Sequence, residues 1–118
     1  MIPGIDIIEI GRFSKACERT PKIRERLFTC REIKGLEQKG MASWAARFAG
    51  KEAVLKALGT GLSGLSWHDI EILNEDTGEP IVYLSEKAQV YVKARGGTHV
   101  RLSLSHEKEY AVGMAILS

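Results

Sequence analysis

The chain has few of the features that mark secreted, membrane or nucleic-acid-binding proteins. It has only two cysteines, Cys17 and Cys30, and no C-x-x-C pair, which excludes a disulfide framework or a cysteine-rich zinc site. No segment reaches the roughly 18 apolar residues of a membrane span, and no basic stretch followed by a long apolar run marks a signal peptide. The net charge is only +2, too small to predict nucleic acid as a partner. We therefore expect a cytoplasmic protein with reduced thiols.

The length and composition predict one globular domain over residues 1–118. The hydrophobic residues make up 44% of the chain, an ordinary share that is enough for a modest core. The sequence shows no internal repeat and no low-complexity segment.

A helix of about four turns is predicted at residues 44–61, W-A-A-R-F-A-G-K-E-A-V-L-K-A-L-G-T-G. Gly59 and Gly61 should end it, because glycine commonly follows the last turn of a helix. Ser43 is its expected N-cap. Shorter helical segments are expected at 11–39, where Thr29 and Glu32 form a capping box, and after Ser85.

Alternating or continuous apolar residues predict five strands. The strand at 66–73 and the strand at 81–84 should form a hairpin around a glycine-containing turn, and the last two strands should pair with each other. The predicted strands are Met1–Ile10, Ser66–Leu73, Ile81–Leu84, His99–Ser105 and Ala111–Leu117.

Glu52 lies on the apolar side of the predicted central helix, where a lone charge is costly to bury. One interpretation is an ordinary Glu52–Lys56 pair one turn apart in a core helix. The other is a metal-binding carboxylate flanked by Lys51 and Lys56, cations that could hold phosphates. The second interpretation needs another carboxylate from elsewhere in the chain.

Asp6 could supply that carboxylate. It interrupts a run with five isoleucines in ten residues, and a buried aspartate must be paired or must bind a metal. The alternative is a strand end where Asp6 caps a neighbouring turn. Two carboxylates with open remaining positions suit Mg²⁺, which takes other oxygens from water and substrate phosphates. Asp6 and Glu52 together predict magnesium-assisted chemistry at a phosphate or pyrophosphate.

Two further features could serve a phosphate. The turn G-T-G at Gly59, Thr60 and Gly61 could bring backbone N–H groups close to one, although it is also an ordinary helix exit. His106 follows a strand and could bind a phosphate or carry a proton, or could be a surface histidine in a hairpin loop.

The segment between Arg12 and Arg26 is the most basic part of the chain, and it includes Arg19 and Arg24. Apolar side chains interleave with these cations. Such a surface suits an acidic protein partner, such as the face of an acidic helix. The alternative is a solvated amphipathic helix.

Four motifs together resemble the holo-acyl-carrier-protein synthases, which are bacterial 4′-phosphopantetheinyl transferases. The resemblance covers nearly the whole chain, and the order and spacing of the motifs fit. The motifs are G-I-D-I-I-E-I at 4–10, R-F-A-G-K-E-A-V-L-K-A-L-G-T-G at 47–61, W-H-D-I-E-I at 67–72 and L-S-L-S-H-E-K-E-Y-A at 102–111.

The resemblance implies an α+β fold with a small antiparallel sheet packed around one long central helix. It implies transfer of phosphopantetheine from coenzyme A to a serine of apo acyl carrier protein, with release of adenosine 3′,5′-bisphosphate. It also implies homotrimers with active sites between subunits. Asp6 and Glu52 match the magnesium ligands. Lys56 would stabilise or protonate the leaving phosphate, and either Glu52 or a metal-bound water would accept the serine proton.

The resemblance also assigns binding residues. Arg12 matches a position that meets the acidic carrier protein, and Arg19 and Arg24 are expected on the same surface. The positions that match the coenzyme A site are Arg47, Lys51, Lys56, Gly59, Thr60, Gly61 and His106.

Two other functions remain possible on the sequence alone. A coenzyme A-binding or nucleotide-binding module without catalysis would keep the cations and the glycine turn but would not need both Asp6 and Glu52. A small RNA-binding protein is disfavoured, because the net charge is low and no aromatic stacking pair interrupts the basic segment.

Overall fold

The computed structural model describes residues 1–118 and has five helices and five strands. This mixture confirms the predicted α+β fold. The helices are α1 (Ile10–Arg19), α2 (Ile23–Leu27), α3 (Cys30–Leu36), α4 (Met41–Leu58) and α5 (Glu86–Ala94). The strands are β1 (Ile2–Glu9), β2 (Ile70–Asn74), β3 (Pro80–Leu84), β4 (Val100–His106) and β5 (Tyr110–Leu117).

The strands form a three-stranded antiparallel sheet and a separate hairpin. The sheet has the order β1–β5–β4, and β2 pairs with β3 in the hairpin. Both the predicted hairpin and the predicted pairing of the last two strands are confirmed. In the sheet register, Asp6 lies opposite Gly113, which in turn lies opposite Leu104.

Helix α4 is the centre of the molecule. It is buried on most of its circumference, including positions such as Ala53, Val54 and Ala57 that lie off the stripe through Trp44 and Phe48. One part of the core surrounds its C-terminal half together with β2 and α5. The other part surrounds its N-terminal half and includes the rings of Phe13 on α1 and of Phe28, which directly follows α2.

Two glycines let the sheet approach α4 at backbone distance. A Cβ atom added to Gly4 on β1 would lie 2.1 Å from the carbonyl oxygen of Ala53. A Cβ atom added to Gly113 on β5 would lie 2.6 Å from the backbone nitrogen of Gly50 and 2.7 Å from the carbonyl oxygen of Ala49. Because real Cβ atoms do not tolerate such contacts, both positions require glycine.

Two predicted elements start more than two residues away from the observed position. Helix α4 begins at Met41 after Gly40, and Ser43 lies within its first turn and does not cap it. The stretch from Ser66 first forms a 3₁₀ turn at Trp67–Asp69, because Asp69 accepts hydrogen bonds from Ser66, and the strand starts only at Ile70. The capping box of Thr29 and Glu32 is confirmed.

None of the five helices combines the length and the hydrophobicity that a membrane crossing requires.

Gly113→Ala should destabilise the protein by roughly 3 kcal/mol, because the methyl group meets the backbone of α4 and the sheet must shift. Chemical denaturation followed by circular dichroism would measure this. Gly35→Ala is the matched control: Gly35 lies in α3 with nothing within 4 Å of the added Cβ, so the change should be neutral or stabilising. Equal stabilities of the two variants would contradict the close packing of β5 on α4.

Candidate active site

A carboxylate of β1 and a carboxylate of α4 lie side by side. Every second residue of β1 faces α4, and this places Asp6 against the helix while Ile5 and Ile7 face outward. Glu52 on α4 is half-buried next to it. Lys56, one turn later, donates hydrogen bonds to Asp6 Oδ1 and to the carbonyl oxygen of Ile5, both at 2.9 Å. The structure thus brings together Asp6, Glu52 and Lys56, as the sequence predicted.

The two carboxylates disturb each other. Burial, and then the neighbouring Asp6, raise the pKa of Glu52 from 4.5 to about 7, while the charge of Lys56 opposes this. Asp6 Oδ2 is buried and has no hydrogen-bond partner. A buried carboxylate oxygen normally has one, so this atom is suited to a ligand that supplies positive charge.

The donor set fits Mg²⁺. Both candidate ligands are hard carboxylate oxygens, and no third His, Cys, Asp or Glu side chain joins them. Mg²⁺ is commonly held by one or two protein carboxylates and completes its shell with water and substrate phosphate oxygens. A cation here would also offset the charge of Asp6, which adds to the effect of burial in raising the pKa of Glu52.

The glycine turn directly follows Lys56. Gly59 and Gly61 both have positive φ, 77° and 55°, conformations that other residues rarely adopt. Arg95, which directly follows α5, donates a hydrogen bond to the carbonyl oxygen of Ala57 at 2.9 Å and packs against Gly59. Nothing in the sequence near Arg95 indicated this contact, because it joins residues 36 or more positions apart. Thr60 Oγ1 donates to the carbonyl oxygen of Gly61 at 2.9 Å.

A second group of predicted residues lines a cavity of about 900 Å³ between α3, α4, β2 and the end of β4. Arg47 and His106 both lie there. The other charged side chains of the cavity are Arg31, Lys34, Lys39, Glu75 and Asp76. With four Arg and Lys cations against two carboxylates, the cavity has an excess of positive charge and suits an anionic group.

Arg47 is buried and held by two acceptors. One terminal nitrogen donates to the carbonyl oxygen of Ile72, and the other donates to Oδ1 of Asn74. Its Nε atom is buried without a partner. Burial lowers the pKa of Arg47 and the charge of Glu32 raises it, but a guanidinium stays protonated in proteins.

The structure corrects the prediction for Lys51. Its side chain is completely buried, and its ammonium lies 2.6 Å from the carboxylate of Glu32. The prediction that Lys51 contacts coenzyme A is therefore wrong, because the ammonium is enclosed by protein and does not reach the surface. The sequence shows the cation but not its partner, which α3 supplies.

The two groups lie on different faces of α4. Arg47 and Glu52 are five residues apart, which separates their directions by about 140° around the helix. The cavity that contains Arg47 and His106 is lined by none of Asp6, Glu52 and Lys56. One copy of the chain therefore does not bring all of the predicted site residues together.

The basic segment places two exposed arginines on α1 and a partly buried arginine on α2. Arg12 and Arg19 are exposed on α1 and lie within about 20° of each other around it, on the side away from the buried Phe13. Arg24 of α2 is partly buried and places its guanidinium 4.6 Å from the centre of the Trp44 ring. A cation stacked on an aromatic ring is held in place before any partner arrives.

The chain resembles known proteins over nearly its whole length. A family model described as the 4′-phosphopantetheinyl transferase superfamily matches residues 3–115. The holo-[acyl-carrier-protein] synthase of Alkaliphilus metalliredigens is 47% identical over 115 residues, which are 96% of this chain and 94% of that protein. The protein of the same name from Clostridium acetobutylicum is 46% identical over 116 residues, covering 97% of this chain and 94% of that one.

Solved structures agree in fold. A crystal structure of Helicobacter pylori holo-[acyl-carrier-protein] synthase in complex with coenzyme A superposes with a TM-score of 0.89 at 33% identity and covers 99% of this chain and all of that one. The holo-(acyl-carrier-protein) synthase of Bacillus anthracis, in complex with CoA (3′,5′-ADP), gives a TM-score of 0.81 at 39% identity and covers 98% of this chain and 94% of that one.

The fold and the matching sequence model define a transferase of the 4′-phosphopantetheinyl transferase superfamily. Relatives of more than 40% identity over nearly the full length then narrow the assignment. The chain belongs to the holo-[acyl-carrier-protein] synthase family, and the resemblance drawn from the sequence motifs is confirmed.

Removal of the charge at Glu52 should stabilise the protein in metal-free buffer at high pH. The pKa of this acid is raised by folding, so its contribution to stability is present below pH 4.5 and is lost as the pH rises to about 7. The melting temperature of Glu52→Gln should therefore exceed that of the wild type by a few degrees at pH 8 and by little at pH 5.

Scanning calorimetry with a chelator present would measure these melting temperatures. Glu18→Gln, at an exposed position of α1, is the control and should not change the pH dependence. A melting-temperature difference between Glu52→Gln and wild type that stays constant from pH 5 to pH 8 would contradict the raised pKa of Glu52, which burial and then Asp6 cause.

Proposed function

We propose that this chain transfers 4′-phosphopantetheine from coenzyme A to a serine of apo acyl carrier protein and releases adenosine 3′,5′-bisphosphate. The observation that carries the proposal is the cluster of Asp6, Glu52 and Lys56, with a buried, unpartnered Asp6 oxygen and a glycine turn beside it. A module that only binds coenzyme A would have no use for two carboxylates that repel each other, so the catalytic function is favoured over that alternative.

In the proposed reaction the serine oxygen forms a bond to the β-phosphorus, and the bond from that phosphorus to the bridging oxygen of the nucleotide breaks. Asp6 and Glu52 would hold Mg²⁺, which when bound supplies positive charge for the pyrophosphate. Lys56, with more than half of its side chain exposed, can stabilise or protonate the leaving phosphate oxygen. The serine proton passes to Glu52 or to water beside it.

The remaining predicted residues would bind the two substrates. The glycine turn at 59–61 can bring backbone N–H groups to a phosphate, and the cation-rich cavity around Arg47 and His106 can hold another anionic group of coenzyme A. The exposed Arg12 and Arg19, with the stacked Arg24, form a surface that suits an acidic carrier protein. Both free thiols are compatible with a cytoplasmic enzyme.

We further propose that the active enzyme is a homotrimer whose sites lie between subunits. Two observations support assembly with further copies of the chain. The carboxylate cluster and the Arg47 cavity lie on different faces, so a site that uses both needs a second copy. The outer face of the sheet also exposes large apolar side chains, Ile5 at 60%, Ile7 at 61% and Met114 at 44%. Exposed apolar faces of this kind are typical of subunit interfaces.

Intact mass of apo acyl carrier protein after incubation with this protein, coenzyme A and Mg²⁺ tests the reaction. We expect the carrier protein to gain one phosphopantetheine group, and we expect the gain to disappear with chelator. Asp6→Asn should slow the transfer by at least about 100-fold, because one metal ligand loses its charge.

A carrier protein whose modified serine is replaced by alanine is the control and should gain no mass. Transfer by Asp6→Asn at the wild-type rate would contradict the role of Asp6. Tight binding of coenzyme A without any transfer, to carrier proteins from several sources, would favour the non-catalytic module.

Complementation tests the shared site. Asp6→Asn and Arg47→Ala should each be inactive alone, but a mixed trimer of the two should regain up to about a quarter of the wild-type activity, because one quarter of the interfaces pair two intact halves. A mixture of Asp6→Asn and Glu52→Gln is the control. It should stay inactive, because both changes damage the same half of the site, the carboxylate cluster that one subunit contributes. Light scattering would give the oligomeric state. Equal activity of the two mixtures would contradict a site between subunits.

A further inference from the structure

We propose that the buried pair of Glu32 and Lys51 is a positioning device for Arg47, which it holds in the cavity through strand β2. This inference rests on the proposed function, in which the cavity takes an anionic group of coenzyme A. Neither residue touches the substrate. The role that the sequence assigned to Lys51, direct contact with coenzyme A, is replaced by an indirect role in its binding.

Glu32 joins three elements of the fold. Its Oε1 atom accepts hydrogen bonds from the backbone nitrogen of Thr29 at 2.9 Å and from the ammonium of Lys51 at 2.6 Å. Its Oε2 atom accepts from the backbone nitrogen of Ile72 at 2.8 Å. The side chains of Glu32 and Lys51 are both completely buried. The carboxylate therefore ties α3, α4 and β2 together at one point.

Ile72 of β2, which Glu32 bonds, also binds Arg47. Ile72 receives a hydrogen bond from Arg47 at its carbonyl oxygen and gives one to Glu32 from its nitrogen. In an antiparallel strand these two groups of one residue point to the same side, and β2 has a partner strand only on its other side. Glu32 and Arg47 therefore take the place of a missing neighbour strand. The position of Arg47 depends on that of Ile72, and Glu32 fixes Ile72.

The pairing also decides which buried charge stays available. Lys51 and Arg47 bring two buried positive charges, and Glu32 brings one negative charge. Glu32 is bonded directly to Lys51 but reaches Arg47 only at longer range. The positive charge of Arg47 is thus left without a bonded carboxylate, and Arg47 lines the cavity. Glu32 thus neutralises the charge of Lys51, and the charge of Arg47 stays available to an anion in the cavity.

A double-mutant cycle on coenzyme A binding tests the inference. Isothermal titration calorimetry would measure the Kd of coenzyme A for wild type, Glu32→Gln, Arg47→Ala and the double variant. Glu32→Gln keeps the shape of the side chain but removes its charge. We expect it to raise Kd about tenfold, and we expect no further increase when Arg47 is already absent, because the two changes act through one contact.

Two more variants separate positioning from stability. Glu32→Asp keeps the buried charge but shortens the side chain, so it should also raise the Kd of coenzyme A even if Glu32→Gln does not fold. Val92→Ala, a core truncation in α5, is the stability-matched control and should lower the melting temperature without changing Kd. The KM for the carrier protein should be unchanged in both Glu32 variants, because the basic surface lies on α1 and α2.

Two outcomes would overturn the inference alone. In one, the wild type binds coenzyme A, and the Glu32 variants bind it with the same Kd although their melting temperatures are lower. The other is a cycle in which the losses from Glu32→Gln and Arg47→Ala simply add. A wild-type protein that binds no coenzyme A would contradict the proposed function itself, and the inference with it.

Discussion

The structure depends on the backbone contact between α4 and the sheet. Gly4 and Gly113 have no side chains, and so β1 and β5 lie directly against Ala53 and Gly50 of the helix. This contact brings the Asp6 carboxylate of β1 within reach of Glu52 on α4. A sheet held at ordinary side-chain distance would be several ångströms farther away, and the two carboxylates could not share a cation. The glycines therefore matter for the site as well as for packing.

Helix α4 carries two pairs of charged residues, each one turn apart. Arg47 and Lys51 face α3 and β2, while Glu52 and Lys56 face β1. Because neighbouring residues on a helix differ in direction by about 100°, the adjacent Lys51 and Glu52 belong to different faces. Residues 47–56 therefore supply both the buried pair that contacts α3 and β2 and the pair that contacts β1.

The sequence predicted those parts of the site whose signal is local. Asp6 and Glu52 stand out because each interrupts an apolar pattern, and the glycine turn stands out by composition. The structure places Asp6 beside Glu52 and the glycine turn directly after α4. Contacts between distant segments left no such signal: the pairing of Lys51 with Glu32 and the packing of Arg95 on Gly59 depend on the tertiary fold. Ser43 failed as a predicted cap because a good cap residue can also lie inside the first turn of a helix that begins earlier.

The environment, and not the residue type, decides what the two lysines of α4 do. Lys51 is buried with the carboxylate of Glu32, which also accepts hydrogen bonds from two backbone N–H groups. Its charge therefore stabilises the fold. Lys56 bonds Asp6 at the surface with more than half of its side chain exposed, so its ammonium can exchange Asp6 for a phosphate oxygen. A cation that can exchange partners suits a reaction in which negative charge develops on a leaving group. A cation buried in the interior can only stabilise the elements that carry the site.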